Sequence, residues 1–413
     1  MLRYVARQPI LDRCERLYGY EILFRPGEEE IWPSANGNGA GKNNSGGIPA
    51  FEGLDEITGG ARAFIKYTPQ ALTGGYAAKL PRERVVLEIP ASRESDDKLV
   101  TACRELKEAG FVLALENFQG AWQEPLAEVA DIIKVDVTAS TDRAQWLLLR
   151  KYRPRGATFV AERVDRRTQF QAAVQQGFSY FQGPFYCRPH PSGTSEVAPT
   201  KLVYLLVLRA ITRPEINVQE VTDIIKHDLA LSYRLLRFLN SPRFAFRSQI
   251  KSIRHALLLL GQDEIRKWIG LISVSSLGEG TPPLLVNMAL LRATFCESLA
   301  PLVGAAKRQS DYFFLGLLSC IDVIVGRPMR LVLAELPIAA DVSGALTGEE
   351  NPLGTALQAV ISYEQGNWGE FSQSARKLGL NEDGFAELYM QALHWSGELT
   401  AGEKNHPDGR PPS

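Results

Sequence analysis

Gly19-Tyr20-Glu21-Ile22-Leu23-Phe24-Arg25 is an apolar and aromatic run carrying one carboxylate, Glu21, and it decides the fold because runs of the same kind recur after it. They lie at Tyr4 to Ile10, Leu17 to Phe24, Ala63 to Tyr67, Val85 to Ile89, Val112 to Leu115, Ile132 to Val135, Thr158 to Ala161 and Tyr180 to Gln182. Amphipathic stretches separate most of the later ones, and this alternation predicts a β/α barrel. Leu99 to Ala109 reads as a helix stopped by Gly110, and Arg167 to Gln176 as one stopped by Gly177, since glycine readily takes the left-handed cap. The first two runs are joined only by Leu11 to Leu17, too short for a crossover helix, so they are expected to pair antiparallel as a hairpin. The active face of such a barrel lies at the carboxyl ends of its strands. Glu21, Lys66, Glu88, Glu116, Asn117, Lys134, Glu162 and Gln182 fall there, and packing alone does not explain such a convergence of polar residues.

At 413 residues the chain exceeds the size of one core, and its 45% hydrophobic content suffices for two soluble domains. The formal charge of −1 gives no overall pull toward nucleic acid or acidic membranes. Arg234, Arg237, Arg243, Arg247, Lys251 and Arg254 form a local basic cluster, read as a solvated helix face, so no nucleic-acid partner is expected. Five widely spaced cysteines without a CxxC pair read as reduced, mostly buried thiols. With neither a signal pattern nor an apolar run of membrane-spanning length, the expected location is the cytoplasm.

Pro33 to Gly47, rich in glycine, asparagine and serine, is expected to be a flexible loop replacing part of the barrel wall. Strand periodicity stops at Arg188-Pro189-His190-Pro191-Ser192-Gly193-Thr194, and the remainder reads helical until a polar tail. The expected organisation is a barrel over residues 1–190, a linker over 191–199, a helical domain over 200–401 and a disordered tail over 402–413.

Six segments resemble the EAL domain family, which hydrolyses cyclic di-GMP. They are Arg7-Gln8-Pro9-Ile10, Gly19–Arg25, Val86-Leu87-Glu88, Ile133-Lys134-Val135-Asp136, Val160-Ala161-Glu162-Arg163-Val164-Asp165 and Phe181-Gln182-Gly183, in family order, while Leu115-Glu116-Asn117-Phe118 resembles a family segment that has lost its metal-binding half. The resemblance implies a TIM-like β/α barrel with one antiparallel strand. The second half is similar to the HDOD domain, a helical relative of metal-dependent HD phosphohydrolases. The similarity is carried by Asp228-Leu229-Ala230-Leu231, Leu235 to Ser241, Ile253-Arg254-His255-Ala256 and Leu260-Gly261. Leu315 to Asp322 looks like the HD helix, with Ser319 and Cys320 where the family's His and Asp bind metal. The dipeptide His227-Asp228 lies in a different helix without partner histidines and is not read as a ligand pair.

EAL enzymes use divalent ions held by carboxylates and an asparagine. By resemblance, Glu21, Glu88 and Glu162 keep carboxylates at metal positions, and Lys134 keeps the lysine that positions water. Lys66 replaces a metal-binding asparagine, Glu116-Asn117 replace paired aspartates, and Asp165 replaces a glutamate. An ammonium at Lys66 would oppose a dication, and Asn117 removes a charge. The expectation is therefore a vestigial catalytic set (Glu21, Glu88, Glu116, Asn117, Lys134, Glu162), no metal in either domain, and no enzymatic activity. Lys66, Lys134, Glu88 and Glu162 could equally close the barrel as a salt-bridge network.

The resemblance also implies a cyclic di-GMP pocket. Arg25 would meet a phosphate, Gln8 and Gln182 would line the site, and Leu23, Phe118 and Pro184 would flank a guanine. The function expected is a noncatalytic signalling protein, either a cyclic di-GMP sensor or a nucleotide-independent interaction scaffold. Output would pass to a protein partner through the HDOD domain, and the barrel could form a homodimer. The alternative is a residual phosphodiesterase using magnesium or manganese.

Overall fold

The computed structural model describes residues 5–24, 54–75, 77, 80–90, 97–118, 123–188, 199–213, 215–226, 228–240, 250, 252, 255–256 and 260–404. Arg25, the 33–47 segment, residues 191–198 of the expected 191–199 linker, His227, most of the basic cluster and residues 405–413 lie outside them.

Eight strands form a closed barrel in sequence order: β1 (Val5–Asp12), β2 (Leu17–Phe24), β3 (Arg62–Lys66), β4 (Val85–Ile89), β5 (Val112–Leu115), β6 (Ile132–Asp136), β7 (Thr158–Glu162) and β8 (Tyr180–Gln182). β1 runs antiparallel to both β2 and β8, while β2 through β8 pair parallel. The β1–β2 turn is tied by the Asp12 carboxylate, which accepts hydrogen bonds from the backbone N–H of Cys14 and Arg16 at 2.8 and 2.9 Å.

Helices α1 (Leu54–Thr58), α2 (Pro69–Thr73), α3 (Asp97–Glu108), α4 (Glu124–Val129), α5 (Asp142–Tyr152) and α6 (Arg167–Gln176) alternate with the strands. Gly177 takes φ +103 after α6, and Gly110 takes φ +94 just beyond α3.

Strand alternation builds the barrel interior in layers. Ile10, Phe64, Val86, Ala114, Ile132 and Val160 form a buried apolar layer. Two residues further toward the carboxyl end of each parallel strand stand Lys66, Glu88, Glu116, Lys134 and Glu162. Because β1 runs the other way, its residue in this polar layer precedes Ile10 and is Gln8. On β2 the apolar layer has Gly19, where a Cβ would lie 2.7 Å from the Arg62 carbonyl and 3.0 Å from the Phe64 ring. The Phe64 ring thus fills the space that Gly19 leaves, and Glu21 rises into the polar layer.

The remaining described elements are helical: α7 (Pro199–Ile211), α8 (Val218–Lys226), α9 (Leu229–Leu239), α10 (Gln262–Leu277), α11 (Pro283–Leu299), α12 (Gln309–Leu317), α13 (Ile321–Val325), α14 (Met329–Ala334), α15 (Ala340–Thr347), α16 (Pro352–Glu364), α17 (Trp368–Lys377) and α18 (Phe385–Lys404). The core of this unit includes Leu208, Ile211, Leu271, Leu290, Phe295, Phe313 and Leu317. Among the described residues no helix is long and apolar enough to cross a membrane, and none of the five cysteines is in a disulfide.

The chain forms two compact units. The barrel unit comprises Met1–Arg188 together with Tyr363–Trp368 and Asp383–His394, and the other unit comprises the rest. Two short pieces of the helical half therefore belong to the barrel unit. Within that unit Tyr363 packs against Tyr389, Trp368 and Phe385, with ring centroids 5.2, 5.3 and 6.2 Å away.

Candidate functional site at the barrel mouth

The polar layer converges on Lys134, which is fully buried on β6. Its Nζ lies 2.7 Å from Glu21 Oε2, 2.7 Å from Glu88 Oε1 and 3.0 Å from Glu162 Oε1. Gln182 Nε2 donates to Glu21 Oε2 at 2.6 Å and to Gln8 Oε1 at 2.7 Å. Three strands beyond β6 thus supply acids to one ammonium, and a carboxamide on β8 orients the acid on β2.

This crowding sets the charge states. Burial alone would lower the pKa of Lys134, but the charges of Glu162, Glu21 and Glu88 outweigh it and hold it well above the usual lysine value. Burial pushes the Glu88 carboxyl well above the ordinary range, and the neighbouring Glu21 charge adds to that. Burial also raises Glu162, against the pull of Lys134. At Glu21 burial acts in the same direction, but Lys134 and Gln182 prevail and its carboxyl sits below the ordinary range. The buried ammonium therefore keeps Glu21 ionised while Glu88 favours its proton.

Lys66 behaves differently. Its side chain is 49% exposed and its Nζ is 3.0 Å from Glu116 Oε1, so it stands on the rim rather than among the central acids. Although partial burial opposes the charge, Glu116 holds the Lys66 pKa above its usual value. Asn117 follows with φ +42, a left-handed turn that ends the alternation of β5.

A cleft of about 610 Å³ opens over this layer. It is lined by Gln8, Glu21, Lys66, Glu116, Glu162 and Gln182, which the sequence singles out, and by Asn117 and Pro184. Asp136, Arg163, Asp165 and Gly183 also line it. Asp136 and Arg163 form an ion pair at 3.2 Å. Gly183, at φ +139, leaves no room for a Cβ, which would come 2.4 Å from the Val164 carbonyl. Gln365 and Asn367 complete the lining from the far end of the sequence, and no local sequence signal marks them.

Two residues expected to flank a base are placed elsewhere. Phe118 lines a neighbouring cavity of about 790 Å³ and packs edge-on to Tyr152 at 5.7 Å. Leu23 lies under Gly366. Arg25 lies outside the described residues.

Three carboxylates, Glu21, Glu88 and Glu116, offer oxygen atoms all within 4.8 Å of one another, the only such group of potential ligands among the described residues. The buried Glu88 Oε2 accepts no hydrogen bond. Oxygen donors at this spacing, one of them unsatisfied, fit a hard divalent ion. The cleft lining carries five carboxylates against two cationic side chains, so an approaching phosphodiester is repelled unless a cation intervenes.

In the helical unit Cys320 is buried and Ser319 is half-buried, and the Arg292 guanidinium reaches the oxygen of one and the sulfur of the other, each at 3.4 Å. Asp228 caps α9, its carboxylate accepting from the Leu231 N–H at 2.9 Å.

An eight-stranded barrel with one antiparallel strand and a carboxylate layer at its mouth, followed by helices, defines the class: an EAL-type barrel joined to an HD-related domain. Residues 198–359 match the HDOD domain family. The chain is 31% identical over 405 residues to the Uncharacterized protein YuxH of Bacillus subtilis, covering 96% of this chain and 98% of that protein. It is 32% identical over 401 residues to the Cyclic di-GMP phosphodiesterase CdgJ of Vibrio cholerae, covering 96% of this chain and 93% of that one. The Bacillus subtilis YkuI protein, with an EAL domain and in complex with substrate c-di-GMP and calcium, superposes with a TM-score of 0.34 at 18% identity, over 62% of this chain and 73% of that one. The chain belongs to the EAL–HDOD family of cyclic di-GMP signalling proteins.

The expectation that the protein is not an enzyme is corrected by this comparison. A relative matched over nearly its whole length is named a phosphodiesterase. The physical ground of that expectation also weakens, because Lys66 is drawn to the rim by Glu116 and leaves the close grouping of Glu21 and Glu88 intact.

Proposed function

We propose that the barrel hydrolyses cyclic di-GMP to the linear dinucleotide with a divalent ion held by Glu21, Glu88 and Glu116. The observation that carries this reading is that one oxygen from each of those three carboxylates lies within 4.8 Å of the others, with Glu21 and Glu116 lining the cleft. The name of the Vibrio cholerae relative supports it. A bound magnesium or manganese ion would polarise a phosphate oxygen and lower the pKa of water.

The chain's own residues prepare that site. Lys134 fixes Glu21 and Glu88 at 2.7 Å each, which holds their oxygens toward a common point. Gln182 locks the orientation of Glu21. Lys66 keeps Glu116 at the rim and offers an ammonium to the phosphodiester. Gln8, Pro184 and the exposed edge of the cleft contact the rest of the nucleotide. The helical domain, whose Ser319 and Cys320 supply no imidazole–carboxylate pair, carries the output to a protein partner.

The test is incubation of the purified full chain with cyclic di-GMP and either manganese or magnesium, with separation of the products. Linear dinucleotide that disappears in Glu21→Ala is the expected result. Absence of product with both ions at high enzyme concentration overturns the reading.

A further inference from the structure

We propose that the Gln365-Gly366-Asn367 turn supplies nucleobase-recognising side chains to the barrel cleft, so that a segment of the helical half of the sequence completes the nucleotide site. This inference rests on the phosphodiesterase reading and identifies the residues that hold the substrate away from the reacting phosphate.

The turn joins α16 to α17 and belongs to the barrel's compact unit. Gln365 and Asn367 are exposed and line the same cleft as Glu21, Glu116 and Glu162. Gly366 between them is seated on Leu23, and a Cβ built on it would come 2.7 Å from Leu23 Cδ1. Its φ of +67 independently favours glycine. Leu23 lies two residues beyond Glu21 on the same face of β2, one step nearer the open end. The turn therefore sits on the rim, above the acids.

Its ends are anchored. Tyr363, two residues before Gln365, is fully buried, and Trp368, which follows Asn367, packs against the Tyr363 ring. A turn held by an aromatic cluster at both ends presents its side chains in a fixed position, which recognition requires.

The chemistry of the two side chains selects the ligand moiety. The charged groups of the lining are suited to a cation and to phosphate. Gln365 and Asn367 are neutral carboxamides, each offering a donor beside an acceptor. The Watson–Crick edge of guanine presents an adjacent acceptor and donor, O6 and N1–H, which a carboxamide can meet with two parallel hydrogen bonds. With Leu23 covered by Gly366, and with Phe118 directed to the neighbouring cavity, the two carboxamides add neutral hydrogen-bonding groups to the lining where a base would be met.

Steady-state hydrolysis of cyclic di-GMP by the full chain tests the inference with Gln365→Ala, Asn367→Ala and the double variant. Loss of up to two hydrogen-bonding groups remote from the reacting phosphate raises KM about tenfold in the double variant and leaves kcat within about twofold. The melting temperature of Gln365→Ala stays that of the parent chain, since that side chain is exposed, whereas Asn367 immediately precedes α17 and its replacement is expected to lower the melting temperature by a few degrees. Gly366→Ala keeps both carboxamides but lifts the turn from Leu23, and it raises KM in the same way. An unchanged KM in the double variant, with hydrolysis by the parent chain intact, overturns the inference and leaves the phosphodiesterase reading standing. A fall in kcat without a change in KM also overturns it. No hydrolysis by the parent chain removes the phosphodiesterase reading and this inference together.

Discussion

The barrel mouth and the Ser319–Cys320 step of the helical domain each bury a long cation, yet they surround it with different chemistry. Lys134 touches three carboxylates at 2.7 to 3.0 Å. Arg292 reaches a hydroxyl and a thiol at 3.4 Å, on the segment that resembles the HD helix. Burying ions costs several kcal/mol each, and apolar residues of similar volume often stabilise a fold as well or better. A barrel built for stability alone has no need of acids around Lys134, whereas small, weakly polar side chains at 319 and 320 suit a packed interior. The difference supports the proposed assignment of the chemistry to the barrel.

The most severe perturbation of the barrel mouth is Lys134→Met. It leaves Glu21, Glu88 and Glu162 buried without their common partner, and is expected to lower stability by about 3–5 kcal/mol in chemical denaturation, with loss of hydrolysis. A denaturation midpoint equal to the parent's would show that the acids do not depend on the ammonium.

The opposite manipulation is the double variant Ser319→His/Cys320→Asp, which restores the HD pair in sequence. Overpacking beside Arg292 is expected to lower stability by about 1–3 kcal/mol, and equilibrium dialysis with manganese should show no additional bound ion. An extra equivalent of metal would erase the contrast between the two regions.

The barrel's acids also predict a proton linkage. Glu88 holds its proton to an unusually high pH because burial and the Glu21 charge disfavour ionisation. A divalent ion must displace that proton, so its affinity rises with pH until Glu88 ionises unaided and is level above that point. Below it the affinity falls by up to about tenfold per pH unit for one proton released. Calorimetric titration with manganese in buffers of different ionisation enthalpy measures the release, and its absence would remove Glu88 from the ligand set.

The smallest effect sharpens the picture of the rim. Lys66→Asn frees Glu116 from a half-exposed ion pair, and such pairs are worth about 0–1 kcal/mol. Manganese affinity is therefore expected to rise only a few-fold in the same titration. A gain of several orders of magnitude would mean that Lys66 competes directly for the metal position.

Much of this architecture is legible in the sequence. All eight strands appear as short apolar runs, because a strand buried inside a barrel must be apolar on nearly every residue, and β2, β4, β5 and β8 match their expected limits residue for residue. The two-residue alternation then places Gln8, Glu21, Lys66, Glu88, Lys134 and Glu162 in one layer. The alternation fails where the backbone departs from extended geometry. Asn117, at φ +42, redirects the chain after β5, and Phe118 faces Tyr152 instead of the cleft. Arg163, at φ +56, turns back to pair with Asp136 just beyond β7. Gln365 and Asn367 were not legible at all, because no local pattern announces that a turn between two helices will seat its glycine on a barrel strand.

The antiparallel β1 has a consequence for how the chain is made. Its partner on one side is β8, and residues 10 and 182 are neighbours in the closed sheet. At synthesis rates of about 5–20 residues per second, β1 waits roughly 10 to 30 seconds with an open edge before β8 exists. The pieces at 363–368 and 383–394 arrive later still, so the barrel unit becomes whole only after residue 394 has been made. Ribosome-bound intermediates of this protein should therefore depend on chaperones that shield strand edges, and the nucleotide site should be among the last features of the molecule to mature.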